Sequence, residues 1–208
     1  MKMKENLIRS FCTLAVIGFI VLLLFVIPNS QSKTQEKEEK YMTGIHHVLL
    51  TVKDLGEITI ELDADTAPIT VTNFLKLVNS KFYDGLTFHR IIDGFMIQGG
   101  DPTGTGSGGS KETITGEFAS NGIKNDITHV RGVISMARSN DKNSASSQFF
   151  IVHKDSEYLD GNYAGFGHVT KGIEVVDKVV KSVKGKTGSN GEVDPEDQPV
   201  IESIVQID

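Results

Sequence analysis

The chain has 208 residues, 38% of them hydrophobic and 23% charged, with one cysteine, no tryptophan and a formal net charge of −6. That apolar share can build a packed core and excludes wholesale disorder, and a lone cysteine excludes a disulfide framework. The acidic balance, with no strongly basic run, argues against nucleic acid as a partner.

Length points to one domain, with or without an appendage. The first residues supply the appendage. Lys2, Lys4 and Arg9 make a basic start, diluted only by Glu5, and residues 11–27 carry no charge before Pro28. A helix over that run rises about 25 Å at 1.5 Å per residue, near the lower limit for crossing a bilayer. It is also slightly longer than the usual apolar stretch of a signal peptide. Residues 1–30 are therefore expected to be a cleaved signal peptide or a single-pass anchor, engaging the membrane through residues 11–27. Ser30-Gln31-Ser32 offers a small-x-small cleavage pattern. Both alternatives place the folded part outside the cytoplasm, either membrane-anchored or secreted, because flanking positive charge stays inside. Residues 31–43 read as a polar linker. Cys12 precedes the apolar run rather than following it, so it does not fit a lipoprotein cysteine.

From residue 44 the pattern turns to short strands. His47–Val52 and Gly56–Leu62 flank a turn at Lys53-Asp54-Leu55-Gly56 and read as a hairpin. Thr66 to Ser80 switches to helical spacing, with Val71, Phe74, Leu75 and Val78 on one face and Pro68 near the start. Strands are predicted over Thr87–Ile92, Phe95–Gln98, Gly132–Ala137, Gln148–Val152, Phe166–Val169 and Val200–Ile207. A second helix covers Ile173–Val183, striped by Val175, Val176, Val179 and Val183. This ordering predicts a mainly β barrel or sandwich rather than a doubly wound sheet.

Most chemical motifs fail on inspection. Gly104-Thr-Gly-Ser-Gly-Gly109 has the spacing of a dinucleotide loop, yet β-branched residues follow it instead of a helix N-terminus for the pyrophosphate. The six histidines show no metal-ligand spacing and read as scattered surface or strand residues. No G-x-S-x-G elbow supports a serine nucleophile, and Ser135 lies inside a strand. The informative stretch is Phe88-His-Arg-Ile-Ile-Asp-Gly-Phe-Met-Ile-Gln-Gly-Gly-Asp101. It sets Arg90 and Gln98 among aromatics, and Ser147-Gln-Phe-Phe-Ile151 adds a second glutamine. Such polar groups are costly in a core without partners. An apolar pocket with a polar wall is the expected arrangement.

These segments, together with Gly132-Val-Ile-Ser-Met-Ala137, Leu159-Asp-Gly161 and Phe166-Gly167, occur in the order found in cyclophilins, and the chain resembles their bacterial members over residues 44–208. The resemblance implies a closed eight-stranded antiparallel β-barrel capped by two α-helices, here preceded by one N-terminal hydrophobic helix. It implies peptidyl-prolyl cis-trans isomerase activity on proline-containing peptides and unfolded proteins, with no cofactor and no metal, and the N-terminal segment points to newly exported proteins as the clients. By the same resemblance Arg90 is catalytic. Phe95, Met96, Phe150 and Leu159 line a proline pocket, with Tyr163 replacing a histidine at its edge. Gln98 holds the guanidinium, while Ala137, Arg138 and Gln148 contact the peptide beside the proline. Tyr158 stands where cyclosporin-sensitive members carry tryptophan, which implies weak cyclosporin binding. The alternative is a membrane-tethered proline-binding holdase with incidental isomerase activity. The presence of Arg90 favours the enzyme.

Overall fold

The computed structural model describes residues 41–208. The expected hydrophobic helix, with the signal or anchor at 1–30 and most of the linker, lies outside the described residues. Among the described residues, no helix is long and apolar enough to cross a membrane.

Alternation builds the first hairpin. In β1 (Ile45–Val52) and β2 (Gly56–Asp63), Val48, Leu50, Val52, Ile58, Ile60 and Leu62 point inward and are fully buried or nearly so. The residues between them face outward, as a period of two requires. The connecting turn needs a left-handed residue, and Asp54 supplies it at φ 62°. Helix α1 (Pro68–Asn79) follows with Thr70, Val71, Phe74, Leu75, Leu77 and Val78 buried. No side chain at its N-cap satisfies the first turn. Instead the buried carboxylate of Glu117 accepts from the amides of Ile69 (3.0 Å) and Thr70 (2.8 Å), and from the Thr70 hydroxyl (2.6 Å).

The remaining strands are β3 (Phe88–Ile92), β4 (Met96–Gly99), β5 (Val133–Met136), β6 (Phe149–Val152), β7 (Gly165–Lys171) and β8 (Ile201–Gln206). Helix α2 (Ile173–Ser182) lies between the last two and buries Val175, Val176, Val179 and Val180. Its C-cap Val183 is buried as well. All eight strands join one sheet in the order β3-β4-β6-β5-β7-β2-β1-β8, and every neighbouring pair is antiparallel. Helix α1 packs on β8 and β2, and α2 on β2 and β4. At the centre Phe74 meets the rings of Tyr83, Phe149 and Phe166 at 5.1, 5.6 and 5.2 Å. Burial of the Tyr83 phenol pushes its pKa well above the ordinary 10.0.

The expectation of a closed barrel needs correction. The edge strands β3 and β8 share no ladder, so the sheet is a curled half-barrel. Its edges meet only where β3 begins, through a bridge between Thr87 and Val200 and bonds from Phe88 N to Pro199 O (2.9 Å) and Ile201 N to Leu86 O (2.7 Å). Further along, another segment occupies the outer edge of β3. Ile91 N donates to Gly191 O at 2.7 Å, and Val193 N to His89 O at 3.0 Å. With that edge already paired, β8 cannot complete the ladder.

Candidate active site

Strands β4 and β6 are apolar on both faces, and this builds two cores. Ile97, Phe149 and Ile151 point into the main core, while Met96, Phe150 and Val152 join Val133 and Leu159 in a second cluster on the other side. Phe95, Ala137 and Tyr163 pack against the second cluster from its open side. The strand register then sets the polar wall. Arg90 pairs with Gln98, Gln98 with Phe150, and Phe150 with Ser135, a single row across β3, β4, β6 and β5. Cation, amide and aromatic ring are thus neighbours on one face because adjacent strands lie about 4.8 Å apart.

The row opens into a groove of about 750 Å³. Arg90, Phe95, Met96, Gln98, Ala137, Arg138, Phe150, Tyr158, Leu159 and Tyr163 all line it. These are ten of the eleven residues expected from the sequence. Gln148 stands behind the wall. Its side-chain amide donates to Gly106 O (3.0 Å) and Gly108 O (2.7 Å), while its Oε1 accepts from Gln98 Nε2 at 2.8 Å. Gln98 Oε1 in turn accepts from Arg90 Nη1 at 3.2 Å. The second anchor of the guanidinium is the Asn190 carbonyl, which takes the Nε proton at 2.8 Å. A guanidinium has five N–H donors. Arg90 commits two to these acceptors, and the others remain for a bound group.

The Gly104–Ser107 loop forms one rim of the groove. Its shape depends on Asp101, whose carboxylate collects the amides of Thr103, Thr105, Gly106 and Gly108 at 2.6–3.2 Å. Burial opposes that charge, but the donated hydrogen bonds outweigh it and hold the Asp101 pKa below its ordinary 3.8. Two further rings line the groove, the exposed Tyr158 and the half-buried Phe95. Tyr158 is 70% exposed and its ring lies 5.8 Å from that of Phe95.

A buried relay underlies the pocket floor. His129 Nδ1 lies 2.8 Å from Asp160 Oδ1, and Nε2 lies 3.0 Å from the Ser135 hydroxyl. The imidazole stacks at 20° on Phe150 with centroids 6.1 Å apart. Serine, histidine and carboxylate in this order resemble a hydrolytic triad. Yet Ser135 and His129 are both fully buried, so no acyl group can reach the hydroxyl. The relay braces Phe150. Burial lowers the His129 pKa from 6.5, against the pull of Asp160, and keeps the ring neutral.

Several groove residues escaped the sequence reading. His89, Glu192, Val193, Pro195 and Gln198 line the groove, and Asn190 carries Arg90. His89 lies inside the Phe88–Asp101 stretch without a role assigned to it there, and the others lie outside every motif with a chemical signature. His89 lies in β3, as a strand histidine, whereas His129 is neither on the surface nor in a strand but fully buried.

The chain is thus an antiparallel half-barrel with a side-chain-filled interior, an external apolar groove and a fixed guanidinium at the groove wall. Comparison with known proteins makes this specific. The family model for cyclophilin type peptidyl-prolyl cis-trans isomerases matches residues 47–206. The chain is 46% identical over 142 residues to peptidyl-prolyl cis-trans isomerase B of Bacillus subtilis, covering 68% of this chain and 90% of that protein. It is also 46% identical over 138 residues to isomerase A of Dickeya dadantii, covering 64% and 70% of the two chains. Among solved structures, a cyclophilin type isomerase of Cryptosporidium parvum superposes with a TM-score of 0.69 at 30% identity, covering 79% of this chain and 99% of its own. The same protein solved in the presence of the dipeptide Ala-Pro gives 0.68 at 31% identity, covering 78% and 99%. The chain belongs to the cyclophilin-type family of peptidyl-prolyl cis-trans isomerases, and it is an isomerase of that kind.

Proposed function

We propose that the groove holds an X-Pro segment with the proline ring on Met96, Phe150 and Leu159, and that Arg90 stabilises the twisted amide. Rotation about a peptide bond costs about 18–20 kcal/mol because resonance makes the C–N bond partly double. For X-Pro bonds the isomers differ little in energy and exchange over tens of seconds or more. At the twisted geometry the proline nitrogen becomes pyramidal and regains its lone pair. A fixed N–H donor then meets an acceptor that the planar ground state lacks, which lowers the barrier by differential binding. Five decades of acceleration require about 7 kcal/mol. An apolar pocket that strips water from the amide and a guanidinium already held in place can supply it without a covalent step.

The observation that carries this reading is the double anchoring of Arg90 by Gln98 and Asn190 at the edge of an apolar pocket. The Ala-Pro dipeptide used with the Cryptosporidium parvum protein supports a proline-containing ligand. The biological clients are newly exported proteins, and the folded domain works outside the cytoplasm, anchored in or released from the membrane. The uncharged run 11–27 behind a basic start supports this placement.

NMR exchange spectroscopy on a short Ala-Pro peptide tests the chemistry, with the full chain added unmodified or as Arg90→Ala. Fast cis-trans exchange that disappears with the substitution is the expected result. Peptide binding without accelerated exchange would replace it with a tethered proline-binding holdase. Recovery of the native protein in a soluble cytosolic fraction would overturn the placement outside the cytoplasm.

A further inference from the structure

Arg138 lines the groove, but its guanidinium is already engaged. Nε and Nη2 donate to the Asn162 carbonyl at 3.0 and 2.8 Å, and Nη1 donates to the Ser139 carbonyl at 2.8 Å. The Cζ atom sits 4.7 Å from the centroid of Tyr163 and 5.1 Å from that of Phe118. Phe118 belongs to the main core and is 1% exposed, so it is a fixed support. Tyr163 meets Phe150 edge-on at 6.0 Å and 83°, which makes it a side wall of the pocket.

From these contacts we infer that Arg138 is a positioning residue that sets the width of the proline pocket through Tyr163. The chain of support runs from the core ring of Phe118, through the guanidinium plane, to the wall ring of Tyr163. The hydrogen bonds to Asn162 O fix the turn that carries that wall. A planar cation can contact two rings and grip one carbonyl with two parallel N–H groups, whereas an ammonium is a point charge that does neither. The expected peptide contact at Arg138 is largely a backbone one, so the side chain is free for this indirect role. This inference rests on the groove being the X-Pro site.

A double-mutant cycle on the full chain tests it, with kcat and KM for an Ala-Pro peptide measured by NMR exchange. Arg138→Ala is expected to raise KM about fivefold with kcat within about twofold. That is about 1 kcal/mol at 1.4 kcal/mol per decade. Arg138→Lys should behave like Arg138→Ala, since charge without the planar fork cannot hold the ring. In a Tyr163→Ala background, Arg138→Ala should add little, because the wall it positions is gone. Equal losses in both backgrounds would overturn the inference, and so would full function in Arg138→Lys. Thermal unfolding of each variant separates a lost pocket wall from a lost fold. Failure of the unmodified chain to accelerate exchange would instead refute the groove assignment itself.

Discussion

Arg90 and Asn190 are one hundred residues apart in sequence, yet Arg90 Nε donates to the Asn190 carbonyl at 2.8 Å. The carbonyl is presented by a tight turn. Glu192 accepts from the Asn190 amide (3.1 Å) and side chain (3.0 Å), and Gly188 N donates to Glu192 O at 2.8 Å. The guanidinium therefore has one anchor on its neighbouring strand and one on the segment that pairs with β3.

That segment fits because Gly191 has no side chain. Its φ is +85°, and an added Cβ would lie 2.4 Å from Ile92 Cγ1 and 2.7 Å from the Ile91 carbonyl. Gly191→Ala should lift the turn from β3, at a backbone cost of about 1–2 kcal/mol for the left-handed conformation alone. The expected outcome is a folded protein by circular dichroism with kcat/KM reduced about tenfold or more. Unchanged kcat/KM would show that Asn190 is dispensable for holding Arg90.

The Gln98 anchor depends on a relay of amides. Gln148 binds the carbonyls of Gly106 and Gly108 with one end and Gln98 with the other. Gln148→Ala frees Gln98 to rotate and leaves two rim carbonyls without their donor. A loss in kcat/KM of roughly tenfold is expected, consistent with about 0.5–1.5 kcal/mol per hydrogen bond. Steady-state exchange rates at subsaturating peptide give this ratio directly.

The buried His129 gives stability a pH dependence of definite sign. Its folded pKa lies below the unfolded value of 6.5 because burial disfavours the cation. The unfolded chain therefore binds the proton more readily, and stability rises with pH between the two values. The contribution is complete above 6.5 and is lost as pH falls through the folded pKa. His89 is shifted the same way, again chiefly by burial, and adds to the slope. Urea midpoints measured from pH 7.5 to pH 5 should fall, and His129→Gln should flatten part of that fall. The Asp101 contribution belongs to a separate window, below its ordinary value of 3.8.

The cap on α1 can be tested by stability alone. Glu117→Ala removes the acceptor for two amides and a hydroxyl in a buried setting. Each orphaned donor costs about 1–3 kcal/mol, so a large drop in thermal midpoint is expected. Glu117→Gln keeps one acceptor oxygen and should lie between the two. Equal midpoints for all three proteins would show that water can replace the carboxylate.

The elements with strong periodicity were legible in the sequence. The β1–β2 hairpin and the valine stripe of α2 appear where the pattern places them, because one buried face imposes its period on the residues. The pocket was also legible, since Phe88 to Asp101 holds a cation and an amide among aromatics. Other features had no local signal. Asn190 acts through a backbone carbonyl, which leaves no mark on residue identity. Glu117 caps a helix nearly fifty residues before it, so no capping motif exists to be read. The half-barrel differs from the closed barrel because the partner of the β3 edge is irregular chain, without the alternation of a strand.

The strip of chain at Gly191 and Val193 has a consequence for what the groove can grip. An unpaired strand edge offers a row of amides and carbonyls to any extended polypeptide, and such edges recruit foreign chains by adding them to the sheet. An isomerase that acts on proline-containing peptides is especially open to that capture. Here the edge nearest Arg90 is already occupied by the protein's own backbone. A client is left with the pocket and a few side-chain contacts, which suits an enzyme that must release one chain before it can act on another.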